Sequence, residues 1–151
     1  MSNEPSAMSQ DVVVPGYLGR ALSYELSAVQ QYLSLSSLLA IRGVHDASER
    51  FRNEAQEELR HVEKIIGRMV ALGFAPNASR LRPPRLNGSL SQLVAHVIEL
   101  EHEIVAFYES AVQYCMQAGD HENRIFFDAL LSEEREHASH VNDWWQKMVT
   151  T

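Results

Sequence analysis

The sequence predicts an all-α protein, a four-helix bundle with one long crossover between helices two and three. Three observations predict it. Apolar residues recur every three or four positions in four stretches of about 25 to 30 residues, and none alternates as a strand would. The few glycines and prolines gather at the joints between those stretches. The joint between stretches two and three is about 15 residues long, while the other two are short.

The elements follow in order. Residues 1–12 are polar and are expected to form a flexible tail ahead of a single bundle domain, residues 13–151; Met8 is an alternative start. Helix one carries the stripe Leu18, Leu22, Glu25, Val29, Tyr32, Ser36 and Leu39, and helix two carries Phe51, Ala55, Glu58, His61, Ile65, Met69 and Leu72. Helix three carries Leu90, Val94, Val97, Glu101, Val105, Tyr108, Val112 and Cys115, and helix four carries Phe127, Leu130, Glu134, His137, Val141, Trp144 and Met148. Each set lies on one helix face. Ser89 with Gln92 reads as a capping box, and Asp120 as the cap of helix four. Gly43, Gly73 and Gly119 are placed to end helices. A helix of about 27 residues is roughly 40 Å long. About fifteen extended residues reach roughly 50 Å. The link Phe74 to Gly88 can therefore run the length of the bundle, so that helix three starts at the far end.

Composition narrows the function. The chain has 151 residues, 45% of them apolar and 22% charged, as expected of one soluble globular domain. Its formal charge of -7 argues against a nucleic-acid partner, which needs a concentrated positive surface. No apolar run is long enough to span a membrane. The single cysteine, Cys115, excludes an intramolecular disulfide and a cysteine-based zinc site, and reads as a core thiol. The N-terminus lacks the apolar segment of a secretory signal, so a cytoplasmic protein is expected.

The residues that carry chemistry are polar groups on apolar stripes. Glu25, Glu58, Glu101 and Glu134 sit near the midpoints of the four stripes, and His61 and His137 join them; no Lys or Arg shares those stripes. Four buried carboxylates would repel one another unless protonated or gathered around cations. Two divalent ions balance the charge, and carboxylate oxygen with imidazole nitrogen suits iron or manganese. Glu58 with His61, and Glu134 with His137, are spaced to converge on one point. One Glu from each of two helices and Glu-x-x-His from each of two others is the known pattern of di-iron bundles. A third Glu-x-x-His, Glu99 to His102, lies roughly 160° around the helix from Glu101 and is expected to face solvent. Tyr32 reads either as a core tyrosine or as one beside the metals, able to give up an electron and a proton. Tyr108, Trp144 and Trp145 read as packing. His45, His96, His121 and His140 read as surface residues.

The runs Leu22-Ser-Tyr-Glu25-Leu-Ser-Ala-Val-Gln-Gln-Tyr32, Glu57-Glu58-Leu-Arg-His61, Leu100-Glu101 and Glu133-Glu134-Arg-Glu-His137 resemble those of bacterioferritin, a ferritin-like di-iron protein. The resemblance spans about residues 17 to 148. It implies a ferritin-like bundle and a ferroxidase that oxidises Fe(II) to Fe(III) with oxygen or peroxide, for iron storage and detoxification. It implies two iron ions, with Glu58 and Glu134 bridging them, Glu25 and Glu101 each terminal to one, and His61 and His137 completing the pair. In the family a methionine after the first helix-two glutamate binds haem, and 24 chains build a shell. Leu59 stands at that methionine's position, so no haem is expected. Asn53 stands where some members have a cavity-facing histidine. The family's fifth short helix has no counterpart before Thr151, so the expected assembly is a homo-oligomer, a dimer at least, with the 24-chain shell in doubt. The competing readings are a non-cage di-iron oxidase or peroxidase with the same site, and a helical interaction module with a vestigial site.

Overall fold

A computed structural model gives the structure of residues 12–78 and 80–149. The expected tail lies outside these residues except for Val12. The described residues form α1 (Val13–Ile41), α2 (His45–Ala71), α3 (Leu90–Ala118) and α4 (His121–Val149), with no strand among them. Among the described residues no helix is long and apolar enough to cross a membrane.

Pro15 and Gly16 sit inside the first turn of α1. Proline is tolerated there because the first four amides of a helix have no partner in the helix. Ser89 caps α3 as expected: its side chain accepts from the Gln92 amide while the Gln92 side chain accepts from the Ser89 amide. Gly88, just before it, has φ 110°, and a Cβ there would run into the Gln92 side chain, so both conformation and space demand glycine. Asp120 accepts from the Asn123 amide at 3.1 Å and so caps α4. Gly119 ends α3 in the left-handed region, at φ 69°.

The segment between α2 and α3 is the crossover the sequence predicts. The Asn77 carbonyl passes close to Gly19 near the start of α1. The Arg82 amide donates to Ser27 Oγ at 3.0 Å. Gln31 exchanges two hydrogen bonds with the Arg85 backbone, at 2.7 and 2.9 Å. Arg42, at the end of α1, donates to the Gly88 carbonyl at 2.9 Å. The link thus climbs α1 from end to end, tied to it by side chains, and α3 starts beside the C-terminus of α1. Consequently α1 and α3 run antiparallel, as do α2 and α4.

The stripes are buried as expected over most of their length. Leu72 and Met148 are both 39% exposed at helix ends. On α3 the buried face passes through Ile104 and Ala111, leaving Val105 and Val112 half-buried. Cys115 is buried in the core. Trp144 and Trp145 are half-buried and pack against the core. His45, His121 and His140 are exposed and His96 is half-buried.

Candidate metal centre

The midpoints of the four helices meet in one polar cluster. Glu25, Glu58, Glu101, Glu134 and His61 are each no more than 4% exposed. The His137 side chain is 10% exposed. All six residues singled out from the stripes are therefore together. Their donor atoms form two groups, Glu25, Glu58, His61 and Glu134, and Glu58, Glu101, Glu134 and His137. Within each group the atoms lie within 4.8 Å of one another. Glu58 and Glu134 belong to both.

The two imidazoles point the same nitrogen inward. His61 Nδ1 lies 2.9 Å from Glu134 and 3.5 Å from both Glu25 and Glu58. His137 Nδ1 lies 2.8 Å from Glu58, 3.3 Å from Glu101 and 3.8 Å from Glu134. Their outward nitrogens meet two carboxylates that the sequence reading missed. His61 Nε2 is 2.7 Å from Glu133, and His137 Nε2 is against Glu54. Glu54 lies one turn before Glu58 on α2, which places both on the same face; that spacing was the available signal. Glu133 is exposed and gave none.

Glu25 and Glu101 are each also held by a phenol from the opposite helix. The Tyr32 hydroxyl donates to Glu101 Oε1 and the Tyr108 hydroxyl donates to Glu25 Oε1, the latter at 2.7 Å. Tyr108 is therefore more than packing, contrary to the sequence expectation. The signal lay in the numbering. Glu25 and Glu101, Tyr32 and Tyr108, Glu58 and Glu134, and His61 and His137 are each 76 positions apart. The antiparallel run of α1 against α3 turns that repeat into a cross-over pair of hydrogen bonds.

The electrostatics are those of a site that holds protons where cations would sit. Burial, reinforced by Glu58 and Glu134, pushes the Glu25 carboxyl well above its usual range. Burial and the charge of Glu134 do the same to Glu101. Burial opposes the charge on His137, but hydrogen bonds to Glu134 and Glu58 outweigh it and push that imidazole up to about 11. His61 is raised against burial by Glu134, Glu25 and Glu58. Burial works against the charge of Glu134 too, yet the two imidazoles hold its carboxyl well below the usual range. Glu25 Oε2, Glu101 Oε2 and Glu134 Oε2 are buried without a hydrogen-bond partner, and the two Glu58 oxygens lie 2.8 Å from His137 Nδ1 and 3.5 Å from His61 Nδ1. Buried lone pairs are rarely left so, and oxygen-rich donors with two imidazoles fit a pair of divalent first-row ions.

The decoy behaves as expected. Glu99 is exposed and pairs with Arg85 at 3.0 Å, and His102 is exposed. Leu59 is 42% exposed on the outer face of α2, and Asn53 is exposed beside the α2–α4 cleft.

A family model for the ferritin-like domain matches residues 16–150. The bacterioferritin of Rhodobacter capsulatus is 31% identical over 130 residues, covering 86% of this chain and 81% of the relative. The bacterioferritin of Brucella melitensis is 28% identical over 137 residues, covering 91% and 81%. A solved structure of the Rhodobacter capsulatus bacterioferritin, with a metal-free dinuclear site and a heme iron, superposes with a TM-score of 0.83 at 29% identity, covering 90% of this chain and 85% of that one.

Proposed function

The chain belongs to the ferritin-like domain family, with bacterioferritins among its relatives, and we propose that it is a ferroxidase that oxidises Fe(II) to Fe(III) with oxygen or peroxide and feeds an iron store. The observation that carries this reading is the convergence of the buried carboxylates of Glu25, Glu58, Glu101 and Glu134 with two inward-facing imidazole nitrogens into two donor groups, each within 4.8 Å.

Glu58 and Glu134, common to both donor groups, would bridge the two ions. Glu25 with His61 would complete one ion's set, and Glu101 with His137 the other's. Fe(II) is the substrate, and each ion supplies one electron to the oxidant. The chain's own residues do the rest. Glu133, bonded to His61 Nε2, and Glu54, against His137 Nε2, would fix the tautomer that leaves each Nδ1 lone pair free for a metal. Binding must displace the protons now held at the inner nitrogens and at Glu25 and Glu101. Tyr32, donating to Glu101, is placed to give up an electron and a proton. The cleft between α2 and α4, lined by Glu54, Glu57, His61, Glu133, Glu136 and His137, leads from solvent to the two imidazoles and would admit the ions. Leu59 offers no ligand, so no haem is proposed there. A homo-oligomer is proposed as the assembly.

The test is aerobic loading with excess Fe(II), separation by size, and an iron count per chain. Many irons per chain in a large particle is the expected result. A pair of irons per chain in a small particle would instead leave a non-cage di-iron oxidase. No bound iron would overturn the site.

A further inference from the structure

We propose that Tyr108 is a second electron-and-proton donor to the metal pair, the counterpart of Tyr32 on the other half of the bundle. The inference deepens the ferroxidase reading and rests on it.

Four observations carry it. Tyr108 stands 76 positions from Tyr32, the spacing that also relates the two terminal glutamates, the two shared glutamates and the two histidines. Both phenols are fully buried. Packing alone would be served by phenylalanine, whereas burying a hydroxyl costs free energy unless it is bonded. Each hydroxyl spends its hydrogen bond on the terminal carboxylate of the opposite helix, Tyr108 on Glu25 and Tyr32 on Glu101.

The rings beyond them form two separate exits. Tyr32 stacks on Phe51 at 6.0 Å, Phe51 meets Trp144 edge-on at 5.8 Å, and Trp145 follows at 6.3 Å. Tyr108 meets Phe107 at 5.4 Å and Phe127 at 6.4 Å. Phe107 lies 5.7 Å from Tyr17 and 5.0 Å from Tyr24. Each phenol therefore has half-buried, oxidisable rings between itself and solvent, and the two sets share no residue.

The electron balance gives a second phenol a use. Oxygen reduced to two waters takes up four electrons and four protons. Two Fe(II) ions give two electrons, and Tyr32 alone would bring the total to three. With Tyr108 the fourth is supplied within one bundle. In each phenol the O–H bond breaks. The proton passes to the carboxylate that accepts its hydrogen bond and then to product water, the electron goes to oxygen, and a neutral phenoxyl radical remains. Solvent supplies the other two protons.

The experiment is rapid-freeze electron paramagnetic resonance on the full chain loaded with Fe(II) and mixed with oxygen, in the unaltered protein, Y32F, Y108F and the double variant. Ring-deuterated tyrosine assigns the signal by narrowing its hyperfine structure. The expected result is a tyrosine radical of two components, one lost in each single variant and both lost in the double. Peroxide released per iron oxidised should rise in each single variant. Unchanged line shape and spin count in Y108F would overturn the proposal. So would loss of zinc binding at one centre in Y108F, because Tyr108 would then only be holding Glu25 in place. Retained helical circular dichroism and full zinc binding show that the variants are intact. If the unaltered protein leaves Fe(II) unoxidised, the ferroxidase reading itself falls; if it oxidises iron without a Tyr108-dependent radical, only this inference does.

Discussion

The α1–α2 and α3–α4 halves give the candidate metal centre matching inner donors but unlike outer supports. Glu25, Glu58 and His61 on one side answer Glu101, Glu134 and His137 on the other, residue for residue. Behind His61 stands Glu133, its side chain 45% exposed and tethered to Lys64 at 3.0 Å. Behind His137 stands Glu54, 9% exposed and tethered to Arg50 at 3.1 Å. The counterpart of Glu54, 76 positions on, is the core residue Leu130, and that of Glu133 is the exposed Glu57, which pairs with Arg60. The difference teaches where the constraint lies. In the proposed site, two ions sharing two bridging carboxylates would fix the donor atoms on both sides. An outer carboxylate has only to reach one imidazole nitrogen, and either neighbouring helix turn can supply it.

The largest break in the correspondence comes from the shared residues. Glu58→Ala or Glu134→Ala removes a donor from both groups, so both ions should be lost and Fe(II) oxidation abolished. Glu25→Ala removes a donor from one group only and should leave one tight ion. Zinc titration by calorimetry separates the cases, with affinity losses beyond the roughly 10–100-fold typical of an outer partner. Normal Fe(II) oxidation in Glu134→Ala would sink the assignment.

The outer supports should then show their inequality. Glu54→Gln, at a side chain only 9% exposed, is expected to weaken zinc binding by about 10–100-fold. Glu133→Gln should cost less, because water can reach the exposed His61 nitrogen and take over the hydrogen bond. Equal losses in the two variants would show that burial of the outer carboxylate does not matter.

Proton binding sharpens the comparison further. Unfolded histidine titrates near 6.5, whereas folded, metal-free His137 holds its proton up to about 11 and His61 is raised as well. In that window the folded chain binds more protons than the unfolded one, so stability must fall as pH rises. Glu25 and Glu101, raised as well, act in the same direction. Glu134 has the opposite sign, but its contribution is lost only as pH falls below the ordinary carboxylate range. The urea midpoint of metal-free protein should therefore decline between pH 7 and 10. Zinc should reverse the trend, because binding releases protons. A flat or rising midpoint without metal would mean that the imidazoles are neutral.

Much of this was legible in the sequence for a physical reason. Long helices write their buried face every three or four residues, so a glutamate at the midpoint of an apolar stripe declares its burial by position alone. Ser89, Gln92 and Asp120 declared helix ends, because their side chains act on amides only a few residues away. What stayed hidden depends on contacts between helices. Tyr108 looked like packing because nothing local tells where its hydroxyl ends. Only the antiparallel register of α1 and α3 brings it to Glu25. Glu133 sits on the outer side of its helix, and it matters because His61 reaches across from α2.

The smallest expected effect tests the facing argument itself. Glu99 and His102 carry the same Glu-x-x-His spacing as the two site motifs, yet the helix turns them away from Glu101. In the folded chain Glu99 is 64% exposed and pairs with Arg85, which is 57% exposed. A surface pair of this kind contributes about 0–1 kcal/mol. Glu99→Gln should therefore shift the unfolding free energy by less than about 0.5 kcal/mol and leave zinc stoichiometry and Fe(II) oxidation unchanged. The motif is defined by two residue types three positions apart, and a helix surface satisfies that anywhere. What would make a ligand pair of Glu58 with His61, and of Glu134 with His137, is the apolar stripe beneath them, which buries the carboxylates and brings them together with the imidazoles. If Glu99→Gln stripped metal from the protein, spacing alone would suffice, and the stripe would lose its standing as the criterion.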